Sequence, residues 1–130
     1  MRIDFESIKP LYLQIAEAIE DDILTGRLQE GGPAYSQLIL SNELGVNPAT
    51  AAKGITVLVQ AGILEKKRGL SMAVATGARA KLISSKQKNS LQPLVRDLVA
   101  EARKIELSEE DVVKMLQDGF AAQEGGAAHE

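Results

Sequence analysis

The chain has 130 residues, 45% apolar but only 3% aromatic, with no Cys, no Trp and a formal charge of −3. That length suits one ordinary domain plus at most a small second unit, with a core of Leu, Ile, Val and Ala that favours packed helices over sheet. Disulfides and thiolate metal sites are excluded. No apolar run reaches the length of a membrane span, no signal peptide is visible, and a cytoplasmic chain is expected.

Leu11, Ile15, Ala18, Ile19 and Ile23 recur at helical spacing, which predicts a first helix over 11–25, opened by Pro10 and stopped by Gly26. Gln29 to Pro33 reads as a loop. Ser36 suits the N-cap of a short helix to Leu44, with Leu40 and Leu44 inward and Ile39 beside them. After Gly45, Asn47 caps and Pro48 opens a third helix to about Ala61, expected to bury Ala51, Ile55, Leu58 and Val59. Two helices across a short Gly-containing turn make a helix-turn-helix or an ordinary helical hairpin. The next residues favour the former. Ile63 to Lys67 reads as a short strand, Arg68-Gly69 as a tight basic turn and Ser71 to Ala75 as the return strand. A helix-turn-helix followed by a basic-tipped hairpin is a winged helix.

Ala78 to about Lys88 reads as a basic helical stretch. Ser90 is expected to cap a longer helix from Leu91 to about Ile105, in which Leu91, Leu94, Val95, Leu98, Val99, Ala102 and Ile105 form a heptad-like stripe. Ser108 to Asp111 resembles a capping box ahead of a last helix that carries Val112, Val113, Leu116 and Phe120. The tail from Gln123, which holds the single His, His129, is expected to be disordered. The expected architecture is mainly α with a small β-hairpin wing. A winged helix-turn-helix domain covers 1–76, a helical dimerisation region of two or three helices covers 77–120, and a disordered tail covers 121–130.

Charge is segregated along the chain: residues 1–52 carry net −5, residues 53–96 net +8 and residues 97–130 net −6. The basic stretch has two readings. It meets an anionic partner such as a phosphate backbone, or it pairs with acidic helices of its own chain.

Several motifs carry a family resemblance. Pro10-Leu11-Tyr12-Leu13-Gln14-Ile15, Gly26-Arg27-Leu28 with Gly31, Glu43 to Thr50, and the run Leu58 to Leu70 together resemble the DNA-binding domain of GntR-family regulators over about residues 9–76. The roughly 50 residues that follow are too few for the large effector-binding domains of most branches of that family. A short helical tail is similar to the YtrA-like subfamily, and this implies a homodimeric repressor. Departures are visible too. Leu38 stands where the family usually has a DNA-contacting Arg, Ala73 replaces a common wing aromatic, and Gly54 lies inside the third helix at a cost of about 1 kcal/mol relative to Ala.

A recognition helix presents its N-terminal side chains to base edges in the major groove, which here means Asn47, Ala49, Thr50 and Lys53. Ser36 and Gln37 begin the preceding helix, whose free amides suit a phosphate. Lys66, Lys67 and Arg68 place the wing on the backbone or in the minor groove, with Gly69 permitting the turn. Each has a plainer role: Ser36 and Asn47 as caps, Thr50 as a solvated residue, the wing cations as edge-strand protection. The expected dimer interface is Leu91, Leu94, Val95, Leu98, Val99 and Ala102.

The expected partners are therefore double-stranded DNA and a second copy, with no cofactor, no metal and no membrane. An effector, if one acts, is expected at the Thr76-Gly77 junction ahead of the 78–120 helices. Adjacent acidic pairs such as Asp21-Asp22 diverge by about 100° on a helix, so no catalytic pair is formed. The rival reading is a winged-helix protein-interaction module, which the lack of a basic residue at Leu38 leaves open.

Overall fold

The computed structural model describes the backbone of residues 1–127 and the side chains of residues 1–123 other than residue 70. His129 and residues 128–130 lie outside the described residues. The chain forms two compact units, residues 1–86 and residues 87–130.

The first unit contains α1 (Leu11–Leu24), α2 (Gln37–Leu44), α3 (Pro48–Gln60), a hairpin of β1 (Leu64–Lys67) and β2 (Leu70–Val74), and α4 (Ala78–Lys86). α1 packs on α3 and α4, and α2 packs on α3. Ile15, Ile19, Ile23, Leu40, Ala51, Leu58, Leu64 and Val74 form the centre of the core, each at most 2% exposed. No aromatic lies in that centre, in keeping with the composition, and Tyr35 packs against it half-buried.

The helix phases differ from expectation at two places. On α3 the buried line is Ala51, Gly54, Ile55 and Leu58. Val59, expected inside, sits one residue past Leu58 and so about 100° around the helix, and it is 40% exposed. Ile39 on α2 is likewise exposed, and Ser41 is buried beside Leu40 instead, its hydroxyl donating to the Leu38 carbonyl at 3.1 Å.

Gly54 has a packing reason. A Cβ built there would stand 3.0 Å from the Ile15 Cγ2 and 3.0 Å from the Tyr12 carbonyl oxygen. The missing side chain lets α1 and α3 meet almost backbone to backbone.

The hairpin is antiparallel, pairing Leu64 with Val74 and Glu65 with Ala73, with a bulge between Glu65 and Lys67. Gly69 makes the tip in the left-handed region at φ 84°. The segment expected as loop supplies a third edge. Gly31 N–H donates to Val74 O at 2.8 Å, Val74 N–H to Gly32 O at 3.0 Å and Ala34 N–H to Met72 O at 2.9 Å. Pro33 bridges Ala73, whose small side chain is fully buried.

Two polar contacts tie these loops to the helices. The Tyr35 hydroxyl donates to Asp22 Oδ2 at 2.6 Å, and Asp22 is only 8% exposed. Glu30 caps the start of α4, its Oε1 accepting from Gly77 N–H at 2.7 Å and its Oε2 from Arg79 N–H at 3.1 Å. Those two amides hold the Glu30 carboxyl below the ordinary carboxylate range. Thr76-Gly77 is therefore tied to the first unit rather than forming a free hinge, and Ala78 and Leu82 of α4 lie in the same core.

The second unit opens with a π-helical turn (Gln87–Leu91), followed by α5 (Gln92–Lys104) and α6 (Glu109–Ala127). Ser90 does not cap α5, because the chain is already helical through it. Pro93, in the first turn of α5, lacks the N–H that would bond back one turn, and the widened turn before it accommodates that loss. Ser108 and Asp111 form the expected capping box, each side chain accepting the other's backbone N–H at 3.1 Å. α6 runs on to Ala127, so the tail expected to be disordered from residue 121 is helical as far as that residue.

Gly54→Ala is expected to lower stability by about 1 kcal/mol despite Ala's better helix propensity, because the Tyr12 carbonyl cannot move aside without shifting α1. Urea melts compare the two. A variant as stable as the parent would remove the close-contact account of Gly54.

Burial, the Asp22 charge and above all the hydrogen bond to Asp22 push the Tyr35 hydroxyl up to about 12 from 10.0. Its folded value is raised, so its contribution is complete below about pH 10 and lost as pH climbs towards 12. Tyr35→Phe should therefore cost about 1–2 kcal/mol near neutral pH. The gap from the parent should close in strongly alkaline melts.

Candidate nucleic-acid interface

Three elements of the first unit share one surface. A shallow groove of about 270 Å³ is lined by Ser36 and Gln37 at the start of α2, Ala52, Ile55 and Thr56 on α3, and Ser71 and Met72 on β2. The first turn of one helix, the side of the next and the inner strand of the wing thus border the same depression.

The start of α2 is capped by Ser36, whose Oγ accepts from Ile39 N–H at 3.1 Å. Gln37 beside it is exposed. The first amides of α2 have no intrahelical acceptor and point out of the helix end. Leu38 and Ile39 follow at 67% and 47% exposure, an exposed apolar pair with no charge.

Asn47 Oδ1 accepts from Ala49 N–H at 2.8 Å, so its oxygen is committed to capping α3. Ala49, Lys53, Thr56 and Gln60 form an exposed line along α3, while Thr50 is half-buried on the neighbouring line. Lys53 does not project freely. Its ammonium rests 4.1 Å from the centre of the Tyr12 ring on α1.

At the wing, Lys66, Lys67, Arg68 and Gly69 are all exposed. Lys67 Nζ makes a long contact of 3.4 Å with the Gly31 carbonyl. Lys66 and Arg68 have no hydrogen bond or ion pair with any described residue.

The basic stretch therefore divides. Arg79 Nε donates to the Leu24 carbonyl at 3.2 Å and Lys86 pairs with Glu20 at 3.1 Å, so these cations pin α4 to α1. Among the described residues Lys66 and Arg68 have no such partner, and Lys67 has only its long contact with the Gly31 carbonyl. Internal pairing thus accounts for Lys86 and Arg79, and the wing cations are left for the other reading.

Sequence reasoning missed Tyr12, Thr56, Gln60, Ser71 and Met72. Thr56 and Gln60 continue the line of Ala49 and Lys53 at helical spacing and were within reach of that pattern. Ser71 and Met72 depend on how the hairpin folds against α3, and Tyr12 on how α1 crosses it; no local signal marks them.

In the second unit Leu91, Leu94, Val95 and Val99 are 54%, 62%, 51% and 41% exposed, and Leu98 is half-buried. Ala102 is buried within the unit, beside a cavity of about 370 Å³ that α5 and α6 enclose with Val99, Leu107, Val112 and Val113. Among the described residues no cluster of His, Cys, Asp or Glu could hold a metal, and no helix is long and apolar enough to cross a membrane.

No family model matches the chain. Individual proteins do. The transcriptional repressor YtrA of Bacillus subtilis is 29% identical over 100 residues, covering 75% of this chain and 77% of YtrA. The mannosyl-D-glycerate system repressor MngR of Escherichia coli is 38% identical over 61 residues, 47% of this chain but only 25% of MngR. Among solved structures, a GntR-family regulator from Bacteroides thetaiotaomicron superposes with a TM-score of 0.72 at 28% identity, covering 86% of this chain and 98% of that one.

Fold, groove and wing together define a winged helix-turn-helix protein of the transcription-regulator class, not an enzyme. Its sequence and fold are similar to those of GntR-family regulators of the YtrA-like kind.

Proposed function

We propose that this chain binds duplex DNA sequence-specifically and represses transcription as a homodimer on a palindromic operator. The observation that carries the reading is the shared surface. The groove joins Ser36 and Gln37 at the start of α2, Ala52, Ile55 and Thr56 of α3 and Ser71 and Met72 of the wing, and among the described residues the wing's Lys66 and Arg68 have no bonded partner. On this reading α3 enters the major groove with Ala49, Thr50 and Thr56 near base edges. Asn47 mainly holds the helix start, the amides of α2 meet a phosphate, and Lys66, Lys67 and Arg68 follow the backbone. The domain boundary that fits the packing falls after α4 at Lys86, with the second unit as the dimerisation region.

The dimer reading is supported by Leu91, Leu94, Val95 and Val99, four large apolar residues at coiled-coil-like spacing that the single chain leaves exposed. Two-fold symmetry then sets half-sites about 10 bp apart or a multiple of that. The names of MngR and YtrA support repression. An effector, if one acts, has no free hinge at Thr76-Gly77 to work on.

The wing is tested by salt dependence on a duplex chosen by the protein from a random pool. Lys66→Ala and Arg68→Ala should each lower the slope of log affinity against log salt by about 1 and weaken all sequences alike. Unchanged slopes would remove the wing from the interface. A chain that selects no duplex at all would favour the protein-interaction reading, for which the exposed Leu38 and Ile39 are the natural contact.

The dimer is tested by Leu94→Glu, with Val99→Glu as a second variant. Sedimentation should show a dimer for the parent and a monomer for both, with operator affinity falling at least 100-fold as the two half-sites uncouple. A parent that sediments as a monomer at micromolar concentration would sink it.

A further inference from the structure

We infer that Tyr12 is a positioning residue for the nucleic-acid contact: its ring holds the Lys53 ammonium on the α1 flank of α3, against a backbone phosphate rather than a base edge. The inference rests on the duplex-binding reading above. Lys53 sits in the middle of the exposed line Ala49, Lys53, Thr56 and Gln60, where a long side chain can lean either towards the groove beside the wing or towards α1. The ammonium lies 4.1 Å from the centre of the Tyr12 ring, which fixes the lean towards α1. The groove residues belong to α2, α3 and β2 and none to α1, so the charge is drawn to the edge of the proposed surface.

The platform itself is fixed. The Tyr12 carbonyl stands 3.0 Å from where a Cβ of residue 54 would be, so Gly54 lets α1 seat its first turn directly on α3, beside Lys53. Tyr12 is half-buried, and no described carboxylate lies within ion-pair reach of Lys53. A lysine is a compact point charge suited to a phosphate, and restricting its rotatable bonds before binding lowers the entropy lost on contact. Phenylalanine offers a similar face, whereas leucine keeps the apolar bulk and loses the attraction.

The full chain selects a duplex from a random pool. Affinities are then measured over a salt series for the parent, Tyr12→Phe, Tyr12→Leu, Lys53→Met and the Tyr12→Leu/Lys53→Met double variant. Tyr12→Leu should weaken binding roughly two- to fivefold and Tyr12→Phe should leave it near the parent. Lys53→Met should lower the salt slope by about 1 and weaken selected and scrambled duplexes alike. In the Lys53→Met background, Tyr12→Leu should cost nothing more. Without DNA, the Lys53 ε-methylene protons should be ring-shifted upfield in the parent and Tyr12→Phe and return to ordinary values in Tyr12→Leu.

Unchanged or tighter binding by Tyr12→Leu, losses that simply add in the double variant, or a Lys53→Met loss confined to one base pair would each overturn the inference. A parent that selects no duplex overturns the duplex reading along with it. A parent that binds while ignoring Tyr12 overturns this inference alone.

Discussion

α1 lies on α3 with no side chain between them at Gly54: the Tyr12 carbonyl and an Ile15 methyl fill the place a Cβ would take. This contact fixes more than a distance. With Gly54 and Ala51 turned inward, the opposite line of α3 (Ala49, Lys53, Thr56, Gln60) has only one direction to face, and that is outward. The glycine costs about 1 kcal/mol of helix propensity, and the close contact offsets this with dispersion from atoms that a larger residue would push apart. In a core with no Trp and almost no other aromatic bulk, small residues at a crossing are the natural means of bringing two backbones together. Leu, Ile and Val then fill the space around them.

The rest of the first unit is arranged about that pair. The segment before α2 lies along β2 as a third edge, so the chain leading into the helix-turn-helix is bonded to the wing. Glu30 in the same segment reaches across to the amides that open α4, and Arg79 of α4 returns to the carbonyl end of α1. A loop of glycines and a proline therefore joins wing, α4 and α1. The net charge of −3 says little about the face that counts, because Glu20 and Glu30 engage α4 while among the described residues the wing cations have no acidic neighbour bonded to them. A phosphate backbone senses the local field of that face far more than the sum over the chain, since charges beyond about 10 Å are screened at ordinary salt.

Much of this was legible beforehand because it follows from local rules. Ser36, Asn47 and the Ser108–Asp111 pair cap helices where side-chain oxygens can reach free amides, and Arg68-Gly69 turns the hairpin because glycine accepts positive φ. The failures share one cause. Hydrophobicity points Val59 inward and sets Ile39 beside Leu40 and Leu44, but which apolar residue of a pair is buried depends on the neighbour's position, which periodicity does not carry. Ser90 looked like a cap, yet Pro93 altered the bonding pattern ahead of it rather than ending the helix. The third edge of the wing was hidden by its own composition, since Gly31-Gly32-Pro33 has no strand propensity and pairs only because β2 presents a free edge. At the candidate site the same division holds. Residues along one helix could be named from spacing, whereas Tyr12, Ser71 and Met72 enter only when elements distant in sequence cross.

A single subunit of this design is a weak reader of sequence. Leu38 at the start of α2 offers no charge, Asn47 has its oxygen engaged in capping, and the exposed line of α3 carries one cation. On the proposed duplex reading Lys53, Lys66, Lys67 and Arg68 would make about four phosphate contacts, giving a salt slope near 3.6 and an affinity in the range of non-specific binding. Two copies joined rigidly roughly double the contacts and, more importantly, make the second half-site an intramolecular event at an effective concentration near millimolar. In the proposed dimer the exposed stripe of Leu91, Leu94, Val95 and Val99 would on that arithmetic be a condition of specificity rather than an accessory. Modest contacts per subunit discriminate among sites only when both must be satisfied at a fixed spacing.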